Sequence, residues 1–263
     1  MKPKVCVLRT AGTNCDQETA FAFSLAGAES ELVHINRLVS GEKTLRDYQI
    51  LALPGGFSYG DDIASGKIFA NELKNKLQDE LRQFINEGKL IIGICNGFQI
   101  LVKAGLLPGN ESLTQEVTLT MNDSGKFEDR WVYLRGTRDE GRGMKCVWAK
   151  DLPEITYLPV AHGEGKFVTQ DKEALRRLRK NSQIVFQYCD KMGESAGYPA
   201  NPNGSAENIA GICDMTGRIL GLMPHPERHI YNAQHPRATS MPRRAEGDGL
   251  QIFRNGVEYI QKS

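Results

Sequence analysis

The chain has 263 residues, of which 40% are hydrophobic, and this is enough for one substantial core. Lys and Arg together number 33 and Asp and Glu 32, so the balanced charge predicts neither a nucleic-acid partner nor an anionic membrane. The N-terminal apolar run is too short for a signal peptide and no stretch is long enough to span a bilayer, which predicts a cytoplasmic protein.

Short apolar runs alternate with longer amphipathic segments in the first part of the chain. Strands are predicted at residues 4–8, 31–36, 49–56 and 89–95, and helices at 12–28, 70–88 and 96–105. The first helix is expected to be capped near Thr13 or Asn14 and to end near Gly27. The alternation predicts the α/β class, with a largely parallel sheet covered by helices on both faces.

The pattern changes at about residue 113. Residues 113–160 look like shorter strands and loops that would suit antiparallel pairing. A charged helix is predicted at 171–181, strands at 183–189, 208–214 and 218–226, and a closing helix at 250–260. Because no internal repeat or low-complexity linker interrupts the chain, residues 1–263 are predicted to form a single domain.

Residues 93–97, Gly-Ile-Cys-Asn-Gly, stand between a predicted strand and a predicted helix. They match the G-x-nucleophile-x-G elbow with cysteine in place of serine, a turn too tight for side chains at Gly93 and Gly97. The start of the following helix would favour a Cys95 thiolate, and the N–H of Asn96 could meet a developing oxyanion. By itself the motif also fits a buried cysteine in a tight connection.

A second segment, Pro224-His225-Pro226-Glu227, follows a predicted strand. Its two prolines are expected to exclude a helix and hold the chain extended, so that residues two apart face the same side. His225 would then act as the base for Cys95, and Glu227 would orient and charge the imidazole. Alone, the segment also fits a surface strand end; the cysteine elbow earlier in the chain favours a catalytic triad.

Two glycine-containing loops are further candidates. The N–H groups of Gly55 and Gly56, after the third strand, could complete an oxyanion hole, or these residues could form a turn before an Asp cap. His162-Gly163-Glu164-Gly165 could bind the backbone of an amino acid, or it could be a plain turn.

The cysteines argue against a disulfide framework or a zinc site. Six are present without a C-x-x-C pair, and six thiols are expected. Cys15 also sits near a helix start and is a rival nucleophile, but no glycine elbow frames it, so a packing or capping role is predicted. His225 and His229 have metal-like spacing, yet a proline intervenes and no further ligands cluster nearby, so no metal is predicted.

At this point the motifs carry a family resemblance. GICNGFQ with PHPE downstream resembles the class I, or triad, glutamine amidotransferases. GTNCD, LPGGFSYGDD, ICNGFQIL followed by GLLPG, HGEGKF, NPNGS and GLMPHPER resemble, in the same order, the glutaminase subunits of phosphoribosylformylglycinamidine synthase. The resemblance covers about residues 4–229 and implies a three-layer α/β/α, flavodoxin-like fold with a largely parallel central sheet.

The resemblance also implies roles for individual residues. Cys95 would attack the carboxamide of glutamine to give a glutamyl thioester, while His225 moves the proton to ammonia and Glu227 supports His225. The oxyanion hole would be formed by Gly55, Gly56 and Asn96. The residues that would hold glutamine are Gln99, Phe57, His162, Gly163 and Glu164.

The implied partner is a separate synthetase subunit that receives ammonia. It would use ATP with magnesium to convert formylglycinamide ribonucleotide into the amidine in purine biosynthesis. The resemblance leaves undecided whether a small accessory subunit also takes part. This chain has no phosphate-binding G-x-x-x-x-G-K, so no cofactor is expected in it.

Several alternatives remain open at this stage. The chain could serve another amidotransferase, act alone as a cysteine hydrolase on esters or peptides, or be a non-catalytic regulator, against which the intact triad argues. A C-terminal extension, about residues 230–263, could dock on the partner or lead into a packing helix. Contacts of Asp61 and Asp62 with the partner are also open.

Overall fold

The structure, a computed structural model, describes residues 2–109, 114–137, 145–240 and 245–262. The strands found there are β1 Lys4–Arg9, β2 Glu29–His34, β3 Ile50–Leu53, β4 Leu90–Ile94, β5 Val117–Thr120, β6 Glu128–Gly136, β7 Ile155–His162, β8 Lys166–Thr169, β9 Ile184–Cys189, β10 Ile209–Cys213 and β11 Ile219–Leu222. The helices are α1 Asp16–Leu25, α2 Ile35–Val39, α3 Lys67–Lys76, α4 Gln78–Asn86, α5 Asn96–Lys103, α6 Lys172–Lys180 and α7 Leu250–Lys262.

Nine of these strands form one mixed sheet in the order β2-β1-β3-β4-β11-β10-β9-β6-β7. The strands from β2 to β11 pair in parallel, and those from β11 to β7 pair antiparallel. The mostly parallel centre flanked by helices confirms the predicted α/β class. The strands β5, β6 and β7 begin in the region where the pattern changed, and β5 pairs antiparallel with β8, which lies just beyond that region; residues 113 and 138–144 of the region lie outside the described residues.

The inner parallel strands carry the core. Every residue of β3 and β4 is buried, as expected for strands covered by helices on both faces. Helix α5 packs on β3, β4 and β11, and α1 packs on β1 and β2. The carboxyl ends of the parallel strands therefore meet at one edge, where the loops after β3, β4 and β11 come together. Within the described ranges, no helix combines the length and apolar character needed to cross a bilayer.

The C-terminal extension returns to the body of the protein as a packing helix, which confirms that alternative. In α7 the ring of Phe253 lies 4.9 Å from the ring of Phe23 in α1. The side-chain amide of Asn255 donates to the carbonyl of Trp148 at 2.9 Å. Docking of the extension on a partner stays a prediction, and its residues 241–244 and 263 lie outside the described part of the chain.

Two predicted element boundaries are wrong. The helix expected over residues 70–88 is two helices, because the buried Leu77 leaves the helical conformation with φ of −126°. The break lets α3 and α4 each bury their own apolar residues. The strand expected over 31–36 ends at His34, whose side chain accepts a hydrogen bond from the N–H of Asn36 at 3.2 Å and caps α2.

The start of α1 is also corrected. The helix begins at Asp16 rather than at residue 12, and its N-cap is Cys15, so a cap near Thr13 or Asn14 is confirmed although neither of these two residues forms it. The hydroxyl of Thr13 instead accepts a hydrogen bond from the N–H of Thr10 at 3.2 Å. The predicted end of α1 is confirmed: the helix stops at Leu25, two residues before Gly27.

Candidate active site

Cys95 stands at a sharp elbow between β4 and α5, as predicted. Its backbone has φ of +51° and ψ of −105°, a strained conformation for a residue that is not glycine. The elbow is tightly packed, since a Cβ on Gly97 would overlap the carbonyl oxygen of Leu53. The N–H of Cys95 donates to the carbonyl of Leu222 at 2.8 Å, which ties the elbow to the end of β11. The thiol therefore sits at the carboxyl edge of the parallel strands.

His225 and Glu227 converge, but not along an extended chain. Pro226, Glu227 and Arg228 form a 3-10 turn with proline at its first position, where the missing N–H is tolerated. The prediction that two prolines exclude any helical turn is therefore wrong. The turn brings Nδ1 of His225 to 2.6 Å from Oε1 of Glu227, and both side chains are almost fully buried.

The charge of His225 follows from its neighbours. Burial by itself would lower the pKa of the imidazole, but the carboxylate of Glu227, with smaller contributions from Cys95 and Cys15, raises this pKa well above the ordinary histidine value. The imidazolium is thus favoured beside the Cys95 thiol. A protonated histidine is the partner that a reactive thiolate needs.

Cys15 lies at the same imidazole, which the sequence did not predict. It occupies the N-cap position of α1 without a side-chain capping hydrogen bond and is buried, so of the two predicted roles, packing or capping, packing is confirmed. One ligand atom from each of Cys15, His225 and Glu227 lies within 4.8 Å of the other two. Burial raises the pKa of the Cys15 thiol to about 11, against a smaller lowering effect of the hydrogen bond with His225. Cys15 is therefore a neutral thiol beside the candidate triad.

Among the described residues, Cys15, His225 and Glu227 form a group whose ligand atoms lie close enough together to hold a metal ion. Two contacts disfavour a cation there. Nδ1 of His225 is already hydrogen-bonded to Glu227, and Nη2 of Arg228 lies 3.1 Å from Sγ of Cys15, which places a positive charge at the cluster. His229 is not in the group, and its Nδ1 lies 2.8 Å from a backbone carbonyl of β7.

The side chain of Asn96 links the elbow to the loop after β3. Its Oδ1 accepts from the N–H of Ser58 at 3.2 Å, and its Nδ2 donates to Asp61 at 3.2 Å and to Gln99 at 2.9 Å. Nε2 of Gln99 then donates to the carbonyl of Glu164 at 2.6 Å. Both ends of the buried Gln99 amide are thus used within the protein; its contact with glutamine stays a prediction.

The segment after β7 is placed beside the nucleophile by its backbone. Sγ of Cys95 lies 3.7 Å from the carbonyl oxygen of Ala161. The ring of His162 points into the protein, with Nδ1 at 3.2 Å from Oδ1 of Asn122, and burial lowers its pKa to about 3. His162 is therefore neutral, and roles for it, Gly163 and Glu164 in holding glutamine stay predictions.

The glycine loop after β3 faces the triad. A Cβ on Gly55 would lie 2.7 Å from Cε1 of His225, so glycine is needed here for close approach to the imidazole. Gly56 forms a bridge with Thr13, and none of the hydrogen bonds between described backbone groups uses the N–H of Gly55 or Gly56. Their oxyanion role stays a prediction. Phe57 is half-exposed, and its ring lies 6.4 Å from that of Phe127.

Two supporting residues were missed by the sequence. Asn122 organises the segment after β7, since its Nδ2 donates to the carbonyl of His162 at 2.8 Å and its Oδ1 accepts from the N–H of Gly165 at 3.0 Å. Nothing in TMNDSGK distinguishes this Asn from a turn residue. Arg228 ends the segment PHPER, and nothing in the sequence indicated its role because its partner Glu18 lies in α1, far away in the chain.

Comparisons with known proteins agree with this geometry. The model of the CobB/CobQ-like glutamine amidotransferase domain matches residues 2–260. The phosphoribosylformylglycinamidine synthase subunit PurQ of Methanococcus maripaludis strain C5 is 48% identical over 276 residues, covering 100% of both chains. The subunit of the same name from Dehalococcoides mccartyi is 48% identical over 262 residues and covers 99% of both.

Solved structures are similar over the whole chain as well. A chain of PurLQS from Thermotoga maritima has a TM-score of 0.74 at 32% identity, covering 99% of this chain and 100% of that one. A glutamine amidotransferase from Thermotoga maritima, with a TM-score of 0.56 and 14% identity, covers 100% of both chains and supports the fold alone.

Proposed function

The chain belongs to the CobB/CobQ-like glutamine amidotransferase family, and from this premise we propose that it is the glutaminase subunit of phosphoribosylformylglycinamidine synthase. In this role it hydrolyses glutamine and passes ammonia to a separate synthetase subunit. That subunit converts formylglycinamide ribonucleotide into formylglycinamidine ribonucleotide in purine biosynthesis. Full-length similarity to relatives named as this subunit, and to a chain of PurLQS, supports the assignment.

One observation carries the chemistry: a buried histidine is paired with a carboxylate at 2.6 Å, and the thiol of a cysteine at a strained elbow is among the neighbours that raise the pKa of this histidine. The Cys95 thiolate attacks the carboxamide carbon of glutamine and forms a tetrahedral oxyanion. His225 gives its proton to the nitrogen, the C–N bond breaks, and ammonia leaves behind a glutamyl thioester. His225 then takes a proton from water, and the oxygen attacks the thioester carbon. The C–S bond breaks, glutamate is released, and the Cys95 thiolate is restored beside the protonated His225.

Backbone donors would stabilise the oxyanion during both steps. The N–H groups of Gly55, Gly56 and Asn96 are the proposed donors. The proposed glutamine-binding residues are Gln99, Phe57, His162, Gly163 and Glu164. The side chains of His162 and Gln99 are hydrogen-bonded within the protein, to Asn122 and to the carbonyl of Glu164, so they would act on glutamine through the segments that they hold in place.

The remaining parts of the proposal concern partners and location. We infer that this chain needs no cofactor, and that ATP and magnesium are used by the synthetase subunit. A small accessory subunit completes the complex if the assembly has the same components as the PurLQS complex of Thermotoga maritima. The protein is proposed to work in the cytoplasm, where glutamine and the nucleotide substrate are made available.

The test is reconstitution with the synthetase subunit of the same organism. We expect formation of the amidine from formylglycinamide ribonucleotide, ATP and glutamine, with glutamate and amidine produced in equal amounts. Amidine formed from ammonia but not from glutamine would overturn the assignment. Turnover of small esters without any response to glutamine would instead identify a stand-alone cysteine hydrolase, and complex formation with a different synthetase would identify another amidotransferase.

A further inference from the structure

The proposed mechanism makes no use of Cys15, although this thiol lies at the catalytic imidazole. Cys15 is 1% exposed, and its ligand atom lies within 4.8 Å of those of His225 and Glu227. Its S–H points to Oδ1 of Asn14 at 3.2 Å, and its sulfur accepts from Nη2 of Arg228 at 3.1 Å. Two hydrogen bonds therefore fix the orientation of the sulfur beside the imidazole.

The approach of Cys15 to His225 depends on the glycine between them. A Cβ on Gly55 would lie 3.1 Å from Sγ of Cys15 and 2.7 Å from Cε1 of His225. The two side chains thus occupy the space that a side chain at position 55 would need. The N–H of Cys15 also donates to the carbonyl of Gly55 at 3.2 Å, so that the start of α1 and the loop after β3 are joined at this point.

Arg228 anchors this arrangement to the catalytic turn. Besides the bond to Cys15, its Nε donates to Oε1 of Glu18 in α1 at 2.9 Å. Arg228 directly follows Glu227 in the 3-10 turn, so one guanidinium connects the first turn of α1 with the segment that carries the base and its acid. A shift of α1 would therefore be transmitted to the imidazole.

We propose that Cys15, held by Arg228 and Glu18, is a positioning residue for His225. Its neutral thiol fills one flank of the imidazole, fixes the ring and keeps water away from the imidazolium. This inference deepens the proposed glutaminase function and rests on it. It also gives a role to Cys15 of GTNCD and Arg228 of PHPER, two motif residues that take no part in the proposed catalytic steps.

Electrostatics is consistent with this geometry. The groups that face His225 are Glu227, Cys95, Cys15 and His162, with Arg228 beside them. The Cys15 sulfur, as a neighbour of the imidazolium, contributes to the raised pKa of His225, whereas the pKa of Cys15 itself, at about 11, keeps it a thiol at neutral pH. Cys15 can therefore support the imidazolium without competing as a nucleophile.

The test compares Cys15→Ala and Cys15→Ser with the wild type in the full chain bound to its synthetase subunit. For Cys15→Ala we expect kcat for glutamine hydrolysis to fall about tenfold with KM nearly unchanged, because the base is displaced and substrate contacts are not. The alkaline limb of the pH–rate profile should move to lower pH, since the imidazolium loses a stabilising neighbour. Cys15→Ser should recover part of both effects.

A second measurement does not need glutamine turnover. Alkylation of Cys95 by iodoacetamide, followed by mass spectrometry, reports the thiolate–imidazolium pair, and its rate at neutral pH should fall in Cys15→Ala. Cys6→Ser, which alters another fully buried thiol in β1, is the matched control and should leave both rates unchanged.

An unchanged kcat, pH profile and alkylation rate in Cys15→Ala would overturn this inference but not the proposed function. A fall in kcat without any shift of the alkaline limb would have the same meaning. A wild-type complex that fails to hydrolyse glutamine would instead overturn the proposed function, and the inference with it. The two failures are therefore distinguishable by the wild-type rate.

Discussion

Nδ1 of His225 and Oε1 of Glu227 lie 2.6 Å apart because a 3-10 turn, rather than an extended strand, carries the two residues. The pair is buried, and the second carboxylate oxygen, Oε2, finds no hydrogen-bond partner among the described residues. The charge of Glu227 is thus compensated chiefly by a protonated His225. The stability of this imidazolium is the property on which the proposed chemistry depends.

Glu227→Gln is expected to weaken glutamine hydrolysis rather than eliminate it, by roughly a hundredfold in kcat. The glutamine side chain can still orient His225, but it no longer stabilises the positive charge, and it makes no bond to substrate. The measurement is glutamate release by the complex. Glu246→Gln, which breaks a surface ion pair with Arg254, is the control and should have no effect. A loss as complete as that in Cys95→Ala would show that Glu227 does more than support the base.

The same variant should change the pH dependence. The pKa of His225 is raised by Glu227 against the lowering effect of burial, so the imidazolium of the wild type persists well above the pH at which free histidine loses its proton. In Glu227→Gln the largest of the contributions that oppose the effect of burial is lost, so the imidazolium loses its proton at lower pH. The alkaline limb of the pH profile of kcat/KM should therefore move to lower pH. If it does not move, a titrating group other than His225 causes this limb.

Cys95→Ala should abolish synthesis from glutamine and leave synthesis from added ammonia intact in the reconstituted complex. The reason is that Cys95 stands at a strained elbow whose geometry suits a nucleophile, while ammonia enters the synthetase reaction after this step. The measurement is amidine formation with each nitrogen source. A folded, complexed variant that also lost ammonia-dependent synthesis would contradict the division of labour between the two subunits.

The isolated chain is expected to hydrolyse glutamine slowly and to be switched on by the synthetase subunit. The loop after β3 holds Tyr59 and Asp61 at φ of +56° and +54°, a conformation that costs about 1 kcal/mol or more at each non-glycine residue. It is tied to the elbow through the bonds of Asn96 to Ser58 and Asp61. A partner that binds this loop would select the arrangement in which the oxyanion donors point inward.

The measurement for this activation is kcat for glutamine with and without the partner and its nucleotides. Trapping of Cys95 by an electrophilic glutamine analogue should rise in parallel. We expect a difference of about a hundredfold or more, the effect of misplacing one oxyanion donor. Hydrolysis by the free chain at the rate of the complex would refute the prediction.

Gly97→Ala should destabilise the protein or prevent its folding. An added Cβ would overlap the carbonyl oxygen of Leu53, and backbone on both sides leaves little room to move, so a cost of about 3 kcal/mol is expected. Thermal unfolding provides the measurement. Gly197→Ala is the control, because a Cβ there meets nothing within 4 Å and its φ is not positive. Equal melting temperatures for the two variants would contradict the tight elbow.

The sequence predicted those parts of the site that are formed by residues close together in the chain. The glycines at 93 and 97 indicated the elbow, and the spacing of His225 and Glu227 indicated the pair, although the turn type was wrong. Prolines restrict the backbone without choosing between a strand and a 3-10 turn with proline at its first position. Burial of the pair in the folded protein made that choice.

The sequence by itself determined the α/β class, the parallel strands and the elbow at Cys95, because hydrophobic periodicity and glycine spacing are properties of short segments. Only the tertiary structure decided that Cys15 lies at His225, that the Gln99 amide bonds to Asn96 and the carbonyl of Glu164, and that the ring of His162 points inward. These contacts join the loops that follow different strands. Their partners are chosen by how the strands and helices pack, and no single segment encodes that packing.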